Sequence, residues 1–198
     1  LYDHLEREQQ LKDNIAKVKE DGAELIIVIF HWGNEKDTVP DENQVTLAKL
    51  AIDNGADLVV GHHAHVLQGV TTYKGKTIAY GLGNFCFGGN SSPSDMDTMI
   101  FQQTFTLGTD GSVTSEEPNL IPCRISSDYS INNYQPTPEK GDETDRILSK
   151  INERTAEIST AEGTTFTAET KSTDNSADDS KSTDAVADDS SEGENTAE

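Results

Sequence analysis

The chain has 198 residues, 36 acidic against 15 basic side chains, a net charge of -21 and only 33% hydrophobic content, low for one globular unit of this length. Such an acidic balance excludes nucleic acid as a partner, because phosphate neutralisation needs clustered Lys and Arg, and it equally disfavours adsorption to anionic lipid. The longest unbroken apolar run, at 25–30, has six residues against the ~20 of a membrane-spanning helix, so no transmembrane segment is expected within this sequence.

The charge is unevenly placed. Residues 1–135 hold 19 acidic and 9 basic side chains, net -10, and the remainder holds 17 and 6, net -11. Two unlike parts are therefore expected. Leu1-Tyr2-Asp3 offers no initiator Met, basic n-region or apolar h-region, so no secretory signal is read at the start. Cys86 and Cys123 match no CxxC or metal-ligand spacing, and they are expected as two buried free thiols, a single disulfide being the alternative.

In chain order, Leu11, Ile15 and Val18 form an apolar stripe that ends at Asp21-Gly22, which predicts a helix with a glycine stop. Residues 25–30 are a continuous β-branched run, expected as a strand buried on both faces. Asp41 and Gln44 predict a capping box opening a second helix, with Leu47, Leu50 and Ala51 as its stripe and Asn54-Gly55 as its stop. Residues 58–60 then read as another buried strand. Two successive αβ units imply an α/β fold. Beyond Val66 the pattern turns to strands at about 69–73, 77–82, 99–107 and 120–125, divided by turns such as Lys74-Gly75 and Asp110-Gly111, and these are expected to form the other sheet of a two-sheet sandwich.

From Pro136 the apolar signal fades, apart from a short helix at about 147–158. The end is a near repeat, KSTDNSADDS at 171–180 and KSTDAVADDS at 181–190. Segments so poor in apolar side chains cannot offset their ordering entropy. The expected organisation is a folded unit over 1–125, a linker with a short helix over 126–158, and a disordered acidic Ser/Thr/Asp-rich tail over 159–198.

Four of the five histidines follow the two core strands: His31 after Phe30, and His62, His63 and His65 after Gly61. Ligands of open α/β sheets collect at the carboxyl ends of strands. Imidazoles held there on rigid elements suit Zn, Fe or Mn, and an H-x-H pair can aim two rings at adjacent ions. The alternative is that the rings merely pack or hydrogen-bond at loop starts. A cluster this dense beside buried strands favours the metal reading, since its nitrogens need partners.

The ordered set of His31-Trp32-Gly33 with Glu35, then Gln44 and Leu47-Ala48, then Gly55-Ala56-Asp57-Leu58-Val59-Val60-Gly61-His62-His63-Ala64-His65-Val66, then Tyr80-Gly81-Leu82-Gly83-Asn84-Phe85 resembles the signature of the CapA family of poly-γ-glutamate capsule synthesis proteins. The likeness covers about the first 90 residues well and the next 35 loosely. It implies a calcineurin-like metallophosphatase architecture, two β-sheets flanked by helices. In this chain that would be the C-terminal part of the domain, its first half lying outside the sequence.

By this resemblance His31, His63 and His65 are metal ligands to two divalent ions (Mn, Fe or Zn), and His62, at the position of a family glycine, is a substitute ligand or a residue behind the ligands. Glu35 is a catalytic acid/base or substrate-positioning candidate, or a solvated loop carboxylate. Asn84 is a second candidate, presenting its amide to substrate or holding a tight turn. Trp32 reads as pocket-wall packing. The family's aspartates and Asn-His pair are missing, so the ions would be incompletely liganded here and the chain alone would bind metal weakly and be inactive.

The implied function is a component of synthesis or export of poly-γ-glutamate or a similar anionic surface polymer, with a metal-dependent hydrolase-like site in the intact parent. A non-catalytic scaffold of the export assembly and a generic metal-dependent phosphoesterase are the alternatives. The implied partners are the anionic polymer or its synthesis and export machinery, and the implied location is the outer face of the cell membrane, with an N-terminal anchor absent here. The acidic tail would repel a polyglutamate chain over about one Debye length, ~8 Å at physiological salt, and is read as a spacer.

Overall fold

A computed structural model describes residues 2–158; the repeat-bearing tail expected over 159–198 lies outside the described residues. The first helix, α1 (Tyr2–Glu20), buries Ile15, and Leu11 packs beside it, whereas Val18 stays exposed. It closes as expected: Gly22 adopts φ +92°, and Ala23 N–H bonds the Val18 carbonyl at 3.0 Å. Strand β1 (Ile27–His31) follows, then α2 (Glu42–Asp53), opened by the Asp41/Gln44 capping box, with Gln44 N–H to Asp41 Oδ1 at 2.8 Å and Asp41 N–H to Gln44 Oε1 at 3.0 Å. Strand β2 (Leu58–His62) lies parallel to β1.

Strands β3 (Val70–Tyr73) and β4 (Lys76–Ala79) form a hairpin whose turn residues Lys74 and Gly75 have φ +49° and +74°, the left-handed pair that matches strand twist. They do not enter the second sheet, as their sequence position suggested. Instead β4 pairs parallel with β2, giving the order β1-β2-β4-β3. The hairpin brings Ile78 and Ala79, both buried, into the middle of that sheet, where an apolar pair is covered on both faces.

The second sheet comprises β5 (Asp97–Gln102), β8 (Asn119–Arg124) and β9 (Thr137–Pro138), all antiparallel. The single strand expected at 99–107 is split, its distal part β6 (Phe105–Leu107) pairing with β7 (Val113–Ser115) around Asp110-Gly111. The last helix, α3, runs Asp142–Ala156.

Helices α1 and α2 cover one face of the first sheet through Ile15, Ala48, Ala51, Ile52, Val59 and Ile78. The other face meets the second sheet and α3 through Val70, Ala79, Met99, Leu120, Ile147, Leu148 and Ile151. The segment 126–158 is thus more than a linker: Ile147, Leu148 and Ile151 repeat at i, i+1 and i+4, one face of a helix that fills the space behind β3 and β5. Val70 N–H bonds Thr155 Oγ1 at 3.0 Å, which ties α3 to the first sheet.

One row across the first sheet corrects the reading of 25–30 as doubly buried. Ile29, Val60, Ala79 and Val70 are in register on one face. Their exposures are 67%, 9%, 0% and 0%. The second sheet and α3 therefore cover β2, β4 and β3 but leave β1 open on that face, and Ile27 is likewise 46% exposed. Cys123 is buried and Cys86 is exposed, both as free thiols, so only Cys123 matches the expected burial.

Candidate active site: a histidine crevice

β1 and β2 end side by side, with His31 in register with His62. Trp32 N–H then bonds the His62 carbonyl at 3.2 Å, carrying the pairing one residue further. The two His-bearing loops consequently start from the same edge of the sheet. Gly61 permits this: a Cβ there would sit 2.0 Å from the Tyr80 carbonyl oxygen and 2.3 Å from Trp32 Nε1. Trp32 itself is buried, stacked on Phe30 at 4.4 Å and bonded through Nε1 to the Tyr80 carbonyl at 3.0 Å, the packing role expected of it. Burial pushes the Tyr80 hydroxyl up to about 12, so this side chain stays neutral at any ordinary pH.

Beyond β2 the backbone turns sharply. His63 and His65 have φ +99° and +59°, conformations that cost side-chain-bearing residues about 1–3 kcal/mol and persist where surrounding contacts enforce them. Those contacts are visible: Lys36 N–H bonds the Ala64 carbonyl at 2.7 Å, and Gln68 N–H bonds the Gly81 carbonyl at 2.9 Å. Buried Gln44 donates to Gln68 Oε1 at 3.1 Å, and Gln68 donates to the Asp37 carbonyl at 2.9 Å. This pair of amides links the loop after His31 to the loop after His65. Gln68 carries no motif signal; only its complete burial among polar partners reveals its role.

The imidazoles converge. The rings of His31 and His63 are 4.5 Å apart, and those of His63 and His65 6.2 Å. His65 Nδ1 lies 2.6 Å from Asn84 Oδ1, and the Asn84 amide donates to the His65 carbonyl at 3.3 Å. Because the amide nitrogen is engaged by that carbonyl, Oδ1 faces the ring as acceptor, so Nδ1 carries the proton and Nε2 keeps its lone pair toward the crevice. Asn84 thus acts as a positioning residue for His65.

His62 is exposed and lines the same crevice; partial burial first, and the charge of His31 second, hold its imidazole below the ordinary value, favouring the neutral ring. Glu35 is not brought in. It sits exposed on the loop that Lys36 anchors to Ala64, and it lines neither cavity beside the histidines.

The crevice is a cavity of about 580 Å³, lined beyond the histidines by Asn84 and by Leu82, Phe85, Phe87, Met99 and Phe101. His31 and His63 also face a second cavity of about 500 Å³ that includes Glu8, Asp41 and Gln44. Neutral imidazoles are suitable ligands for the expected ions. In number the donors fall short: among the described residues no three His, Cys, Asp or Glu side chains form a group able to hold a metal ion. No reaction step is therefore derived through such an ion.

The class defined by these features is a partial two-sheet α/β sandwich with a histidine crevice at the carboxyl ends of its parallel strands. Residues 2–89, which carry the crevice histidines and Asn84, match the family model described as bacterial capsule synthesis protein PGA_cap. The chain is 51% identical over 69 residues to the capsule biosynthesis protein CapA of Bacillus anthracis, a match covering 35% of this chain and 17% of that protein. It is 48% identical over 65 residues to the PGA biosynthesis protein CapA of Bacillus subtilis, covering 33% and 17%. A probable polyglutamine synthesis accessory protein of Mycobacterium tuberculosis is 30% identical over 109 residues, covering 52% and 28%. This segment is part of a CapA-family domain, and the chain spans less than a third of the length of these relatives.

Proposed function

We propose that the protein is a component of the synthesis or export of poly-γ-glutamate or a similar anionic surface polymer, and that its histidine crevice is one side of a metal-dependent, hydrolase-like site completed in the intact protein. The single observation behind the catalytic part is that His31, His63 and His65 meet on one cavity, with the His65 Nε2 freed by Asn84. Strained backbone at His63 and His65 supports it, because strain is retained where geometry matters for function. The polymer part rests on relatives named for capsule and polyglutamine synthesis.

Divalent ions at such a centre would polarise a phosphoryl or carbonyl oxygen and activate water for attack. The residues of this chain contribute orientation: paired strand ends set the His31 to His63 spacing, and Asn84 selects the tautomer of His65. Hydrolysis or transfer at a phosphoester or amide bond is the reaction class.

One observation favours a second reading, a non-catalytic scaffold of the polymer-export assembly: the described residues lack a three-donor group. Complementation separates the two. In cells deleted for the coding gene, the wild-type protein restores surface polymer, while His63→Ala and His65→Ala leave it absent despite normal protein level. Full restoration by both variants would reject the catalytic reading and leave the scaffold.

A further inference from the structure

We infer that the histidine cavity takes an amphiphile, a ligand with one anionic head at the imidazoles and an apolar chain along Leu82, Phe85, Phe87, Met99 and Phe101. The inference rests on the crevice being the reacting centre proposed above, and it adds the class of substrate. The polarity of the lining is segregated. Histidines and Asn84 occupy one end, and the wall begins at a ring contact, Phe87 lying 4.8 Å from His65.

In a chain with 36 acidic and 15 basic residues, no Asp, Glu, Lys or Arg lines this cavity. A groove that tracks a polyanion needs repeated cations. Its absence from the lining means that the cavity does not run along the polymer; it accepts a molecule with charge at one end only. Phe85 and Phe87 remain 42% and 38% exposed, and apolar rings left in water gain about 25 cal/mol per Å² when a ligand covers them. Exposed apolar patches on charged proteins mark binding surfaces.

The other occupants of such a wall fit less well. A second copy would bring another -21 charges against the first, and an anionic membrane would be repelled for the same reason. The volume, about 580 Å³, lies within the range of small-molecule sites, roughly 300–1,000 Å³.

The test uses the full 198-residue chain, labelled for NMR and titrated with decyl phosphate below its micelle threshold or with ethyl phosphate, following the Met99 methyl and the ring protons of His31, His63 and His65. Decyl phosphate moves both sets and binds about tenfold tighter or more. In the Phe85→Ala/Phe87→Ala double variant, whose fold is checked by unchanged Ile78 and Trp32 signals, the two probes bind equally. Equal binding to the wild type overturns the inference while sparing the histidine head site. A Met99 response without a histidine response overturns both the inference and the reacting centre beneath it, as does silence of both sets with both probes. Displacement of decyl phosphate by a glutamate oligomer would show a polyanion track instead and overturn the amphiphile.

Discussion

Asn84 and His65 hold each other through two hydrogen bonds, ring Nδ1 to amide oxygen at 2.6 Å and amide nitrogen to backbone carbonyl at 3.3 Å. The pair sets which imidazole nitrogen faces the crevice. Long-range proton–nitrogen NMR should find His65 protonated on Nδ1 in the wild type at neutral pH, and Asn84→Ala should produce a mixture of tautomers. A predominantly Nε2-protonated His65 in the wild type would refute the assignment.

Gly61 is the position where the two histidine loops depend on an absent side chain. Gly61→Ala should destabilise by about 1–3 kcal/mol, the usual cost of overpacking, because the new methyl meets the Tyr80 carbonyl and the Trp32 ring. Trp32 is the single tryptophan, so its fluorescence in urea reports the change directly. Gly75→Ala, with open space but φ +74°, should cost about 1 kcal/mol, the ordinary left-handed penalty. Equal stability of wild type and Gly61→Ala would show that the strand ends are not so tightly apposed.

Helix α3 should behave as core. Ile151 is buried against Val70, Met99 and Leu120, and Ile151→Ala should cost about 2–5 kcal/mol, the range for deleting a buried Ile side chain. A midpoint in urea unchanged from the wild type would return this segment to the status of a linker.

Acid should unfold the protein through Asp97. Burial alone would raise this carboxyl, but hydrogen bonds from Arg146 and Lys150, with their charges, outweigh burial and hold it below the ordinary carboxylate value. A carboxylate whose folded pKa is depressed contributes stability that is complete above its unfolded pKa of about 3.9 and is lost as pH falls through the folded pKa. Asp97→Asn should therefore cost about 2 kcal/mol at neutral pH and flatten the loss of stability on the acid side. Parallel pH–stability curves for the two proteins would contradict this.

Metal binding by this chain alone should be weak. Calorimetric titration with manganese or zinc should show no site of micromolar affinity or better, because three imidazoles without a carboxylate partner neutralise little of the charge of two divalent ions. Two micromolar sites per chain would reverse that expectation.

Local chemistry was legible in the sequence wherever one short segment settles the outcome. The Asp41/Gln44 capping box, the Gly22 helix stop, the Lys74-Gly75 turn and the placing of His31 and the Gly61-to-His65 run at strand ends all follow from neighbouring residues. What the sequence left open depends on partners far along the chain. The run at 25–30 has the composition of a doubly buried strand, yet Ile27 and Ile29 are exposed because burial depends on what covers the sheet. The hairpin at 70–79 joined the first sheet because β2 offered β4 a parallel edge. Likewise, Asn84 became the partner of His65, Gln68 the link between loops and α3 a core element only once distant residues were brought together. Periodicity and capping act over a few residues, and the sequence by itself determined those; register, burial and the meeting of side chains are properties of the packed molecule, which the tertiary structure alone decided.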